Sequence, residues 1–80
     1  MLDIRECCVD YFKELDDELQ SYLDKSQIEK CFQAYMVAEN AHHGQLRRSG
    51  EPYITHPVAA ALILAKMRLD HQTIMATLLH

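Results

Sequence analysis

Eighty residues, 49% hydrophobic and 25% charged, describe one small folded domain at most and exclude a compositionally disordered chain. The net charge of −4 is unevenly placed: residues 1–40 hold ten acids and four bases, a net of −6, whereas residues 41–80 hold two acids and four bases, a net of +2, together with all five histidines. An acidic first half argues against a nucleic-acid-binding domain, which would show a basic face, and the longest apolar run, Pro57 to Ala65, is too short to span a membrane.

Both glycines and both prolines fall between Gly44 and Pro57, which leaves two long stretches without a strong breaker and predicts an all-α chain of about four helices. The first helix is predicted from about Ile4 to Leu23. Asp3 is placed to cap it, and Ile4, Cys8, Tyr11, Leu15, Leu19 and Tyr22 recur at helical spacing, with Phe12 and Leu23 widening the stripe. Ser26-Gln27-Ile28-Glu29 fits a capping box and predicts a second helix starting after Ser26. Its apolar stripe is Ile28, Phe32 and Tyr35, with Cys31, Met36, Ala38 and Ala41 beside it. It is expected to end near His42-His43, because Gly44 suits the position just past a helix C-terminus. A histidine in the last turn also complements the helix dipole, so a structural role for His42 and His43 stands beside a binding role.

Residues 44–55 read as a polar loop, in which Gly50 permits a turn and Pro52 holds Glu51 extended. Pro57 suits the first turn of a third helix, about 57 to 67. That helix is apolar nearly all round and is expected to need partners on several sides. Asp70 is placed to cap a fourth helix with Ile74, Met75, Leu78 and Leu79 facing inward.

The three cysteines are Cys7, Cys8 and Cys31. Their odd number and the adjacent pair suit neither a disulfide framework nor a zinc knuckle, and Cys8 and Cys31 fall on apolar faces as small hydrophobes. A reducing compartment follows, and the start Met1-Leu2-Asp3-Ile4-Arg5-Glu6 lacks the pattern of a secretory signal, so the chain is expected in the cytoplasm.

The most informative spacing joins His56, in Tyr53-Ile54-Thr55-His56-Pro57, to His80, 24 positions later. If the two apolar segments between them are helices folded into a hairpin about Arg68-Leu69-Asp70, arms of about 15–17 Å return both imidazoles to one end. Two neutral imidazoles begin a metal site without completing one. Read alone, His56 beside a proline is more commonly a capping or core histidine, and Arg47 more commonly an exposed ion pair with Glu51.

The run His42-x-Gly44-Gln45-x-Arg47-x-Ser49-Gly50-Glu51-Pro52-Tyr53-x-x-His56-Pro57 resembles the signature of the RelA/SpoT homologues, closest to the SpoT-like branch. Ile63-Leu64-Ala65-x-Met67, Leu69-Asp70 and Leu78-Leu79-His80 continue the likeness in register over roughly residues 27–80. The resemblance implies a helical HD-domain-like fold, with residues 1–80 as the N-terminal part of the domain that hydrolyses ppGpp and pppGpp. It further implies a manganese ion held by His56 and His80 together with carboxylates, one directly after His80 and one more distant, that this sequence does not contain. Such an ion would lower the pKa of a bound water for attack on the 3′-diphosphate. Arg47 would stack on guanine, Arg48 (often Lys in relatives) would offer charge to phosphate, and Ser49 and Tyr53 would hydrogen-bond the nucleotide. The acid/base carboxylates of the family also fall outside this sequence, so no catalytic group is assigned within it and the 80 residues alone are expected to be inactive. Two other readings remain: a related metal-dependent phosphohydrolase acting on another nucleotide, and a non-catalytic helical module that self-associates through the apolar third helix.

Overall fold

A computed structural model describes residues 4–79, with side chains from residue 11 onward. Among them are four helices and no strand: α1 Ile4–Leu19, α2 Lys25–Ala41, α3 Thr55–Lys66 and α4 His71–Leu79. The predicted all-α class holds. The cap expected of Asp3, the inward face expected of Cys8 and the position of His80 lie outside the described residues or side chains.

Helix α1 stops four residues before the predicted Leu23. The cause is local: the Ser21 hydroxyl donates to the Glu18 carbonyl at 2.6 Å, and the Ser21 amide takes the same oxygen at 3.2 Å. That carbonyl is the one the next turn of α-helix needs for the Tyr22 amide, which turns to Leu19 instead. A hydroxyl competing for the backbone therefore ends the helix while the apolar pattern runs on.

Helix α2 starts two residues before the predicted position. Asp24, not Ser26, is its cap: the Asp24 carboxylate accepts from the Gln27 amide at 2.8 Å, and the Gln27 side chain accepts from the Asp24 amide at 3.1 Å. Two overlapping capping boxes compete here, and the anionic one adds the attraction of the helix dipole. At the other end the expectation holds, with His42 as the C-terminal cap and Gly44 at φ +82°. Helix α3 begins at Thr55, two residues early, so Pro57 occupies its third position, still within the turn that needs no amide donor. Asp70 caps α4 as expected, its carboxylate accepting from the Thr73 hydroxyl at 2.7 Å and from the Thr73 amide at 3.1 Å.

Helix α1 lies beside α2 and α3, and α4 lies beside the same two. The four stripes close on one core of Phe12, Leu15, Leu19, Cys31, Ala34, Tyr35, Ala38, Ile54, Val58, Ala61, Ala65, Ile74 and Leu78. Phe12 sits at its centre of aromatic contact, with ring centroids 5.2 Å from Phe32 and 5.1 Å from Tyr35. Cys31 is fully buried with its thiol turned to the His71 carbonyl, and burial pushes it up to about 11, so it stays protonated and inert at neutral pH. Helix α3 departs from its expected central place. It packs on α1 and α4, but Ala59, Ile63 and Met67 at its end face outward, the last two 62% and 64% exposed. Leu79, expected inside, is 51% exposed. No described helix is long and apolar enough to cross a membrane.

The corner between α3 and α4 is tied from afar. Arg68 holds a left-handed conformation, φ +59°, with its amide bonded to the Ala65 carbonyl and the next amide, of Leu69, to Leu64. This is the glycine-favouring helix stop, here built with arginine. Tyr22 secures it: its hydroxyl donates to the Leu69 carbonyl at 2.6 Å, and the Arg68 guanidinium lies 5.8 Å from its ring centre. Tyr22→Phe is expected to lower stability by about 1 kcal/mol, read as a fall in thermal midpoint of about 4–8 °C for a domain of this size.

Candidate functional site

The loop between α2 and α3 is a small hairpin built by its backbone. Gln45 and Tyr53 pair through the Tyr53 amide and the Gln45 carbonyl at 2.9 Å, Leu46 and Pro52 form an antiparallel bridge, and the Arg47 amide donates to the Glu51 carbonyl at 2.8 Å. The Gly50 amide closes the tip on the Arg47 carbonyl at 2.8 Å, and Gly50 itself sits at φ +90°. A four-residue turn whose last residue is a left-handed glycine is a standard short hairpin, so Gly50 is required for its conformation. Arg48 and Ser49 occupy the corner positions. Arg47 and Glu51 do pair, through backbone atoms; among the described residues no ion pair joins their side chains.

Beyond the hairpin lies a cleft of about 630 Å³ between the start of α3 and one face of α4. Tyr53, His56, Pro57 and Ala60 line one side; Asp70, Gln72, Thr73, Ala76, Thr77 and Leu78 line the other, and His42 reaches in from the end of α2. The structure thus brings two predicted site residues, Tyr53 and His56, to one cavity. Arg47, Arg48 and Ser49 are exposed on the hairpin tip and do not line it. Leu78, in the last turn of α4, lines the same cleft as His56.

His42 and the α4 residues were not assigned to the site from sequence. The signal for the latter is the spacing of Asp70, Thr73 and Thr77, which puts three polar groups on one helical face, next to the stripe of the buried Ile74 and Leu78. All three are internally employed. Thr77 donates to the Thr73 carbonyl at 2.9 Å, and the Thr73 hydroxyl and amide beside Asp70 hold its carboxyl below the usual carboxylate range, so it is an anion on the cleft wall at neutral pH.

The chemistry of the donors does not by itself fit a metal ion. His56 is one exposed imidazole, Asp70 is committed to its helix cap, and among the described residues no group of three or more His, Cys, Asp or Glu is placed to hold a metal. A hard, oxygen-preferring cation needs more than a single imidazole.

An HD domain family model matches residues 34–80, which takes in the hairpin, the cleft and more than half of the chain. This chain belongs to the HD domain family. HD-domain hydrolases are metal-dependent. Within the HD domain family the likeness is to RelA/SpoT homologues. The chain is 59% identical over 69 residues to the bifunctional (p)ppGpp synthase/hydrolase SpoT of Escherichia coli, covering 86% of this chain and 10% of that protein. It is 64% identical over 45 residues, 56% of the chain and 7% of the relative, to the guanosine-3′,5′-bis(diphosphate) 3′-pyrophosphohydrolase of Haemophilus influenzae. A putative chloroplastic GTP diphosphokinase of Arabidopsis thaliana is 52% identical over 60 residues, 75% of the chain and 7% of its own length. The chain therefore spans about a tenth or less of the length of the curated relatives it matches.

Proposed function

We propose that residues 1–80 are the N-terminal part of an HD domain that hydrolyses guanosine 3′,5′-bis(diphosphate) and the pentaphosphate to GDP or GTP, water adding to the 3′-diphosphate and pyrophosphate leaving. The observation that carries this reading is the cleft beside His56 and Tyr53, in a chain 59% identical to SpoT over most of its length. Tyr53 offers a phenol hydroxyl with no partner among the described residues, suited to hydrogen-bond a nucleotide in that cleft. Arg47 and Arg48 offer exposed guanidinium groups on the same hairpin, Arg47 to stack on guanine and Arg48 to meet phosphate, with Ser49 as a further donor. His56 and His80 are the two metal ligands we assign, and manganese the metal, in the whole protein. With Cys31 free and inert, the cytoplasm is the compartment we assign.

The test is pyrophosphate release from ppGpp by the full-length protein with Mn²⁺, and from the guanine and adenine tetraphosphates in parallel. Arg47→Ala is expected to weaken nucleotide binding by about 1–3 kcal/mol, the range for losing a base stack. Equal turnover of both bases by the unaltered protein points to a different nucleotide. The 80 residues alone, lacking a carboxylate ligand set at the cleft, are expected to release nothing above a no-protein control. A second reading, a self-associating module, draws on the outward Ile63 and Met67 of α3. Sedimentation with and without Mn²⁺ separates the two: metal-independent dimers favour the module.

A further inference from the structure

Tyr53 is set by one neighbour. The His42 and Tyr53 rings lie in close contact, with centroids 4.2 Å apart and planes tilted 32° from parallel. His42 is in turn fixed twice. It is the C-terminal cap of α2, its amide bonded to Ala38, and Gln45 Oε1 accepts from its Nδ1–H at 2.9 Å. Gln45 also accepts from the Tyr53 amide through its backbone carbonyl. The ring pair and the backbone pair thus meet in one residue, and α2, which packs on α4, is coupled to the phenol on the facing wall of the cleft.

We propose that His42 is a positioning residue for the nucleotide subsite: it acts as an aromatic backstop that holds the Tyr53 phenol toward the cleft. The proposal rests on the nucleotide reading given above. What is recognised is the hydrogen-bonding edge of a guanosine bearing a 3′-diphosphate, and His42 acts on it only through Tyr53. The ring face of His42 does the holding, and its Nδ1–Gln45 bond orients that face.

The experiment follows Tyr53 directly. In the 80-residue chain labelled at tyrosine, ring resonances are recorded without ligand, and ppGpp binding is measured on the full-length protein with Mn²⁺. His42→Leu keeps the volume and removes the aromatic face; His42→Phe keeps the face and removes the bond to Gln45. His42→Leu is expected to lose the ring-current shift of Tyr53 and to weaken ppGpp binding by about three- to tenfold, the range for losing an aromatic pair. His42→Phe is expected to keep the shift and to bind within about twofold of the unaltered protein on the same grounds. Unchanged Tyr53 shifts and affinity in His42→Leu overturn the proposal, as does equal weakening by Leu and Phe, which would assign the role to the imidazole nitrogen. Should His42→Leu fail to fold, His42→Gln takes its place with the same expectation. A full-length protein that binds no ppGpp, with the Tyr53 shift behaving as expected, overturns the nucleotide reading and leaves the ring contact as packing alone, which also removes the positioning role.

Discussion

His56→Ala in the full-length protein is expected to reduce Mn²⁺-dependent pyrophosphate release at least 100-fold while leaving the thermal midpoint of this domain nearly unchanged. The two halves have separate grounds. The ring of His56 is exposed at the mouth of the cleft, where its loss opens no cavity, and surface replacements of that kind typically fall within about 0.5 kcal/mol. For activity, altering even the outer partners of a metal ligand commonly costs 10–100-fold, so removal of a ligand itself is expected to exceed that range. Release that persists within tenfold of the unaltered enzyme removes His56 from the metal centre. A collapse of the thermal midpoint identifies it as a packing residue instead, as its place beside a proline first suggested.

Phe12→Ala is expected to have the largest effect on folding. Phe12 is 3% exposed and touches the rings of both Phe32 and Tyr35, so truncation removes the join between α1 and the middle of α2. Phenylalanine-to-alanine changes in cores cost about 3–5 kcal/mol. A domain of this length commands only about 4–12 kcal/mol in total at typical per-residue stability. The variant is thus expected to lose at least about a quarter of that total, read as a clear fall in the urea midpoint of the helical circular dichroism. Phe12→Leu, which retains most of the volume, is expected to cost less than half as much. Equal midpoints for Phe12→Ala and the unaltered chain would place α1 outside the cooperative unit.

Much of this architecture was legible in the residues because it is written in local chemistry. Gly44, Gly50 and Asp70 are at positions whose backbone or capping demands only a few residue types satisfy, and each does what its type predicts. Sequence pattern and structure part where two local signals compete. Asp24-x-x-Gln27 and Ser26-x-x-Glu29 are both capping boxes, and periodicity has no means of ranking them. The apolar stripe of α1 continues through Tyr22, whereas one hydroxyl, on Ser21, closes the helix sooner. Placing α3 at the centre from its composition failed for another reason: an alanine-rich helix can leave Ala59 and Ile63 in water at modest cost, so hydrophobicity all round does not demand burial all round. At the site, the turn at Gly50 was readable from its residue type, whereas the Gln45–Tyr53 pairing that makes the loop a hairpin was not. The α4 wall and the role of His42 depend on which helices become neighbours, which no stretch of sequence states by itself.

The clasp of Tyr22 on Leu69 gives the cleft a calibration set at a distance. The two helices that bound the cavity diverge from the Arg68 bend as the legs of a pair of dividers, and the longer leg, twelve residues, reaches about 18 Å. A rotation of 10° at the pivot carries its tip through about 3 Å, the span of one hydrogen bond. The gauge of the opening beside His56 is accordingly coupled to a phenol 34 residues earlier in the chain, so the turn that follows the acidic first helix, none of whose described side chains lines the cavity, helps decide what size of guest is admitted.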